Sequence, residues 1–356
     1  MRILITGAAG FVGSTLAREL LRLVPDARII GLDTFYRPGS ERNRSVLRKL
    51  GIDLRHGDIR NREDVESVPT VDWVIDAAAL PSVLAGTGGH GSSRLLMEHN
   101  LAGTINLLEL CKRDGACFTL LSSSRVYSLG SLASVELEHA ETRLRPKAEQ
   151  AWPTGISEAG VSEDCSTAPP ASLYGTTKVC SEQLALEYGA TFDLPVWILR
   201  CGVLSGAGQF GTAEQGIFSF WMHAHREGRP LRYIGFDGSG HQVRDCLHPR
   251  DLGALLVSLW EARATSDATR VLNAAGGADN AMSLQELSTW CAERFGAVEI
   301  SADLEERPFD VGWLVLDCAR IRDAWGWTPK TALPDVLEEL AEHARAHPAW
   351  LADAQG

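Results

Sequence analysis

Several things are missing from this sequence, and each absence removes a class of explanation. No run of 18 apolar residues occurs, so nothing reads as a membrane span. The opening MRILITG goes straight into a strand-like run with no charged segment, apolar stretch and cleavage site, which leads us to expect a soluble cytoplasmic protein. Basic residues are in deficit, 34 against 46 acidic, for a net charge of -12. That argues against a nucleic-acid or anionic membrane partner, both of which need a basic face. No C-x-x-C pair joins the eight cysteines, and several lie inside apolar runs, so buried free thiols are expected rather than disulfides or a metal site. His248 and the other histidines lack metal-ligand spacing, so no metal is expected and they read as structural or exposed. Internal repeats and low-complexity tails are also lacking.

What is present is an alternation. Short apolar runs, RILIT (2–6), ARIIGLD (27–33), IDLRHGD (52–58), VDWVIDAAA (71–79) and CFTLLSS (117–123), are separated by helical patterns such as FVGSTLARELLRLV. Continuous apolar strands between amphipathic helices indicate an α/β fold, a doubly wound parallel sheet covered on both faces. The first turn reads TGAAGFVG, with Gly7, Gly10 and Gly13. Such a trio permits a tight turn, close approach of backbone to a pyrophosphate, and packing of helix on strand; the helix start then offers free N–H groups to phosphates. Asp33, closing the second strand, suits the hydroxyls of an adenosine ribose and repels a 2′-phosphate, favouring NAD over NADP, although Arg37 is near in sequence. Asp58 in HGDIRN is placed to meet an adenine amino group, with a turn or cap as its ordinary alternative. The small side chains of Ala77, Ala78 and Ala79 let a cofactor lie against a strand end.

The stretch SLYGTTKVCSEQ (172–183) places Tyr174 and Lys178 one helical turn apart on one face. A free tyrosine, with a pKa of about 10, is a poor base near neutrality. A neighbouring ammonium stabilises its phenolate, and the lysine can also hold a nicotinamide ribose. A tuned proton acceptor beside a hydride acceptor makes an alcohol-oxidising site. Upstream, SSSRVY (122–127) ends the fifth strand, on the side where this fold places its ligands.

These motifs, with N-x-x-G-T-x-N-L-L-E (100–109), QVRDCLHPRDL (242–252) and ERPFD followed by WGWTPK, make the chain resemble an extended short-chain dehydrogenase/reductase of the nucleotide-sugar epimerase and dehydratase group over nearly its whole length. The resemblance implies a Rossmann-type domain over 1–203 plus about 235–275, and a smaller substrate-binding lobe from 204–234 and 276–356. It implies Ser123, Tyr174 and Lys178 as the catalytic set. Asn100 would order a water or brace the lysine. Phe11, Val12, Ile59 and Cys201 would join the glycines, Asp33, Asp58 and the alanines around NAD. On the substrate side it implies Pro81, Ser82, Ser124 and Gln209, with Arg244 and Arg307 gripping a diphosphate through their guanidinium forks. The ordinary alternative for those two is pairing with Asp245 and Asp310. WGWTPK is expected to be packing of a terminal helix.

Dehydratases of the group carry an Asp-Glu pair where this chain has Ser124 and Arg125, which disfavours a 4,6-dehydratase. The long segment between Tyr127 and Tyr174 and the GAGQFGTAEQGIFSFW stretch (206–221) resemble the CDP-tyvelose (CDP-paratose) 2-epimerase branch. A 4-epimerase, or a reductase or dehydrogenase with net redox turnover, is the alternative. Arg125 either reaches substrate or pairs with an acid of the insertion, such as Glu136 or Glu138. Helices around 93–114 and 173–190 resemble the group's dimer-forming pair, so a homodimer, or a tetramer, is expected.

Overall fold

A single parallel sheet organises the chain. The structure, a computed structural model, describes residues 1–87, 89, 91–265 and 269–355. Seven strands, β1 (Arg2–Thr6), β2 (Arg28–Asp33), β3 (Asp53–His56), β4 (Trp73–Asp76), β5 (Cys117–Ser123), β6 (Val196–Cys201) and β7 (Val271–Ala274), lie in the order 7-6-5-4-1-2-3. Every pairing is parallel. The continuous apolar strands follow from burial on both faces. In β1, Ile3 and Ile5 face one core layer and Leu4 the other. The first layer is closed by helices α1 (Phe11–Leu23) and α5 (Asp251–Glu261), through Leu16, Leu20, Leu252 and Leu256. The second is closed by α2 (Gly103–Asp114) and α3 (Leu173–Phe192), through Leu107, Leu108 and Ala185.

The smaller lobe begins two residues after β6. A four-stranded sheet centred on Val243–Leu247 gathers Val203–Leu204, Ala281–Ser283 and Trp313–Leu314. Helices α4 (Ile217–Glu227), α6 (Leu284–Phe295) and α7 (Leu333–Ala346) pack beside it around Trp221, Met222, Leu287 and Leu337. β7 lies in the large sheet and α5 packs on α1, while Val243–Leu247 joins the second sheet. In the WGWTPK stretch, Trp327 donates to the Asp251 carbonyl at 3.0 Å, and Asp251 accepts from the backbone of Lys330 and Thr331.

The insertion between Tyr127 and Tyr174 is no open loop. Two hairpins, Leu137–Ala140 with Arg143–Pro146 and Ile156–Ser157 with Gly160–Val161, pack against Val311, Trp313 and Leu316. Leu132, Val135, Leu144, Ile156 and Val161 give the insertion a core of its own. Arg143 clamps it to Glu286 at 2.5 Å. All eight cysteines are free, and six are buried. Among the described residues no helix is long and apolar enough to cross a membrane.

Candidate active site

Between the carboxyl ends of β1–β6 and the smaller lobe lies a cavity of about 970 Å³. Gly7, at φ 62°, turns the chain under the Ala77 carbonyl; a Cβ there would lie 3.0 Å from that oxygen. At Gly13 a Cβ would come within 2.2 Å of the Gly7 carbonyl, so only glycine lets α1 sit this close to the turn. Gly10, Phe11, Val12 and Gly13, the first turn of α1, line the cavity, and Ala77, Ala78 and Ala79 make a flat wall. Asp33 closes this end. Its carboxylate accepts from Ala9 N at 2.8 Å and Phe35 N at 2.7 Å; burial pushes its pKa up, and those two N–H groups pull against that shift. A glycine-only cradle, an open helix start and an acid at the second strand end fit a dinucleotide. Arg37 is turned away from Asp33, bonded to Gln215 at 3.1 Å and to the Phe210 carbonyl.

The reacting end is built on β5 and α3. Ser172 caps α3 by accepting from Gly175 N at 3.1 Å, and Gly175 presses on the Arg125 carbonyl, where a Cβ would come within 2.1 Å. This contact docks the first turn of α3 on the end of β5. Tyr174, 6 % exposed, and Lys178, 2 % exposed, both line the cavity. Lys178 Nζ donates to the Leu121 carbonyl at 3.1 Å, leaving two N–H donors. Of the three serines, Ser122 is spent on Glu182 at 2.5 Å, while Ser123 accepts from Arg125 N at 3.1 Å and keeps its own O–H to donate. Ser123 and Ser124 face the cavity with Tyr174. Cys201 lines the same wall, its thiol pushed up to about 12 by burial, with the Lys178 charge pulling the other way. A phenol, a hydroxyl and an ammonium around one space can exchange a proton with an alcohol and hold the oxygen of the resulting ketone.

Other expected residues land differently. Asn100 is buried and lines no part of the cavity. It bonds Leu80 N at 2.8 Å, the Leu80 carbonyl at 3.2 Å and Thr177 Oγ1 at 3.2 Å, so it ties the loop after β4 to α3 one residue before Lys178. Its segment, Glu98–Ala102, is a π-turn, and the Asn100 carbonyl accepts from Ser181 Oγ at 2.8 Å and from Thr104 Oγ1 at 3.0 Å. Asp58 points into a separate small depression with Arg60, Asn61 and Glu98; burial pulls its pKa up, but the Arg60 guanidinium at 2.6 Å holds it below the usual value. Its neighbour Ile59 lines the main cavity, as does Pro81. Ser82 bonds Glu214 at 3.4 Å. Gln209 reaches the wall, but its amide is occupied by Ser205 at 2.7 Å and the Leu204 carbonyl at 2.8 Å.

Arg244 and Arg307 line the far bank. Arg244 binds Asp310 at 2.5 Å, while Arg307 reaches the carbonyls of Ala213 and Glu214 at 3.5 and 3.4 Å. Burial raises the Asp310 carboxyl, and the charges of Arg244, Arg125 and Arg307 together hold it low. Asp245 pairs with neither arginine; it accepts from Gly277 N and Leu316 N, and burial pushes its pKa up to about 6. Arg125 does not meet the insertion's acids, since Glu136 is held by Lys147 and Glu138 by Arg145 within the first hairpin.

Residues 3–275 match the family model described as NAD dependent epimerase/dehydratase family. The chain belongs to that family. Its cofactor is therefore NAD, and it is an enzyme of the nucleotide-sugar epimerase and dehydratase type. It is 28 % identical to the CDP-paratose 2-epimerase of Salmonella typhi over 96 % of this chain and 98 % of that one. Among solved structures it resembles MoeE5 in complex with UDP-glucose and NAD, at 27 % identity and a TM-score of 0.74 over 97 % and 99 % of the two chains. The fold also matches the UDP-glucuronic acid 4-epimerase of Bacillus cereus, at 24 % identity and a TM-score of 0.75 over the same shares.

One feature of this family member escaped the sequence reading. Glu182 is the deeper partner of the Tyr174 and Lys178 face, pairing with Arg200 at 2.7 Å beneath Ser122. Its signal was present, because Tyr174, Lys178 and Glu182 fall at i, i+4 and i+8. Asp310, expected as an ordinary partner for the two arginines, is taken by Arg244.

Proposed function

We propose that this protein is an NAD-dependent epimerase of a nucleotide-activated sugar, oxidising one hydroxyl to a ketone and returning hydride to the opposite face, in the manner of a CDP-paratose 2-epimerase. The carrying observation is that one cavity brings the glycine cradle, Ser123, Tyr174 and Lys178 to one bank and Arg244 and Arg307 to the other. Bound NAD supplies the hydride acceptor for oxidation and the donor for its return. Tyr174 takes the hydroxyl proton and gives it back; Ser123 donates to the same oxygen while it is a carbonyl. Lys178, with two free donors, holds the ribose. Arg307 and Arg244 take the diphosphate, and Asp33 takes the adenosine ribose.

Epimerisation is favoured over dehydration because the residues after Ser123 are Ser124 and Arg125, neither of which carries a carboxyl proton to move at a second carbon. Exposed Ile105 on α2 and Phe192 on α3, 38 % and 42 % accessible, support a homodimer through these helices.

The test is to denature purified protein, identify the released dinucleotide, and follow CDP-sugars by NMR with native enzyme in deuterated water. Released NAD with inversion at one carbon and no deuterium there is the expected result. Deuterium at the inverted carbon would mean proton abstraction beside a carbonyl and refute the role given to Tyr174. Consumption of added NADH with a keto-sugar would make the protein a reductase. The position of the inverted carbon separates a 2-epimerase from a 4-epimerase.

A further inference from the structure

Arg125 is fixed at its backbone and poorly satisfied at its tip. Its N–H donates to Ser123 Oγ at 3.1 Å, and its carbonyl lies against Gly175, so the side chain enters the cavity from beside Tyr174. There the guanidinium makes one long contact with the Phe309 carbonyl, at 3.4 Å, and approaches Asp310 no closer than 3.9 Å. Asp310 is already engaged by Arg244 at 2.5 Å. Burial, and then the charge of Arg244, pushes Arg125 down to about 10, the mark of a cation short of an anion. A charged fork with most of its five donors unspent in a largely enclosed site calls for an explanation.

We infer that Arg125 is a specificity-determining residue that donates to an oxygen on the sugar half of the substrate, beside the carbon whose hydroxyl Tyr174 deprotonates. This rests on the nucleotide-sugar reading above. A diphosphate oxygen offers the same acceptor chemistry, but position argues for the sugar. Arg125 comes from the strand end that bears Ser123 and Ser124, whereas Arg244 and Arg307 come from the opposite lobe.

Calorimetry on the NAD-loaded protein separates these sources, using UDP against UDP-glucose and CDP against CDP-glucose. Wild type, Arg125→Gln and Arg125→Lys are compared, with dinucleotide content as the check on folding. The expected result is that Arg125→Gln loses about tenfold or more of the affinity for the nucleotide-glucose while binding of the nucleoside diphosphate stays within about twofold. Arg125→Lys should regain part of the loss. An equal loss for diphosphate and nucleotide sugar would move Arg125 to the diphosphate or to a purely structural role, and overturn the inference. So would an unchanged Arg125→Gln, or a wild type for which glucose adds no affinity. If the wild type binds neither pair, the nucleotide-sugar reading itself falls, and this inference with it.

Discussion

The two banks of the cavity are built to different standards. On the β5 and α3 bank the polar groups are short-bonded and enclosed: Ser122 to Glu182 at 2.5 Å, Glu182 to Arg200 at 2.7 Å, Ser172 to Gly175 N at 3.1 Å and Lys178 to Leu121 at 3.1 Å. On the opposite bank Arg244 is held by Asp310 at 2.5 Å, but Arg307 rests on contacts of 3.4 and 3.5 Å. A proton must move at a fixed place, and small misplacement there is costly in rate. A substrate that enters, is gripped and then presents its other face needs groups that exchange partners. The difference therefore sets a firmly bonded Tyr174 and Lys178 bank against an Arg307 that is free to change partners.

The sharpest test of that division is Tyr174→Phe. Removing the phenolic O–H should lower kcat by roughly 10²–10⁴ while bound dinucleotide and nucleotide-sugar affinity stay near wild type. A fall in affinity of similar size would place Tyr174 on the binding side and erase the distinction. Next in size is a pair of substitutions read by urea unfolding and diphosphate binding. Glu182→Ala strands Arg200, 7 % exposed, beneath the catalytic strand, and should cost about 3–5 kcal/mol of stability. Arg307→Ala should change stability by less than about 0.5 kcal/mol, yet weaken nucleoside diphosphate binding about tenfold or more. Similar stability losses for both would show that the loosely bonded bank is as structural as the other.

What could be read from the chain follows the same line. The glycine turn, Asp33, Tyr174 and Lys178 are legible because each answers a local demand of backbone or spacing within a few residues, whereas Ser123 was singled out from its neighbours only by the family resemblance. Glu182 was legible in principle: Arg200 interrupts the apolar run VWILRC, and a cation inside a central strand requires a buried counter-ion. The approach of Arg125 to Asp310 was not, since it spans a separation that no local pattern records. Asp58 and Gln209 each find partners nearby, Asp58 on Arg60 and Gln209 on its own loop. The hairpins of the insertion were not legible, because its buried apolar residues are thinly spread, from Leu132 to Val161, and meet only after the hairpins form.

The smallest expected effect concerns how the binding bank is held from behind. His223, fully buried on α4, contacts His343 of α7 at 3.2 Å, and both pack on Trp350, which donates to the Gln209 carbonyl at 2.9 Å. Burial first, and then the neighbouring imidazoles, pushes His223 down to about 3 and His343 to about 4. Both are thus neutral in the fold, so their contribution is fully present above the unfolded value of about 6.5 and is lost as pH falls toward those lower values. Between pH 6.5 and 5, where most carboxylates remain ionised, Tm should fall by several degrees, and His223→Phe should flatten that fall. Hydrogen exchange at pH 5 should show α4 and α7 opening while β1, β4 and β5 keep their protection. If β5 lost protection together with α7, the two banks would be one cooperative unit and the acid-labile support would not be confined to the substrate side.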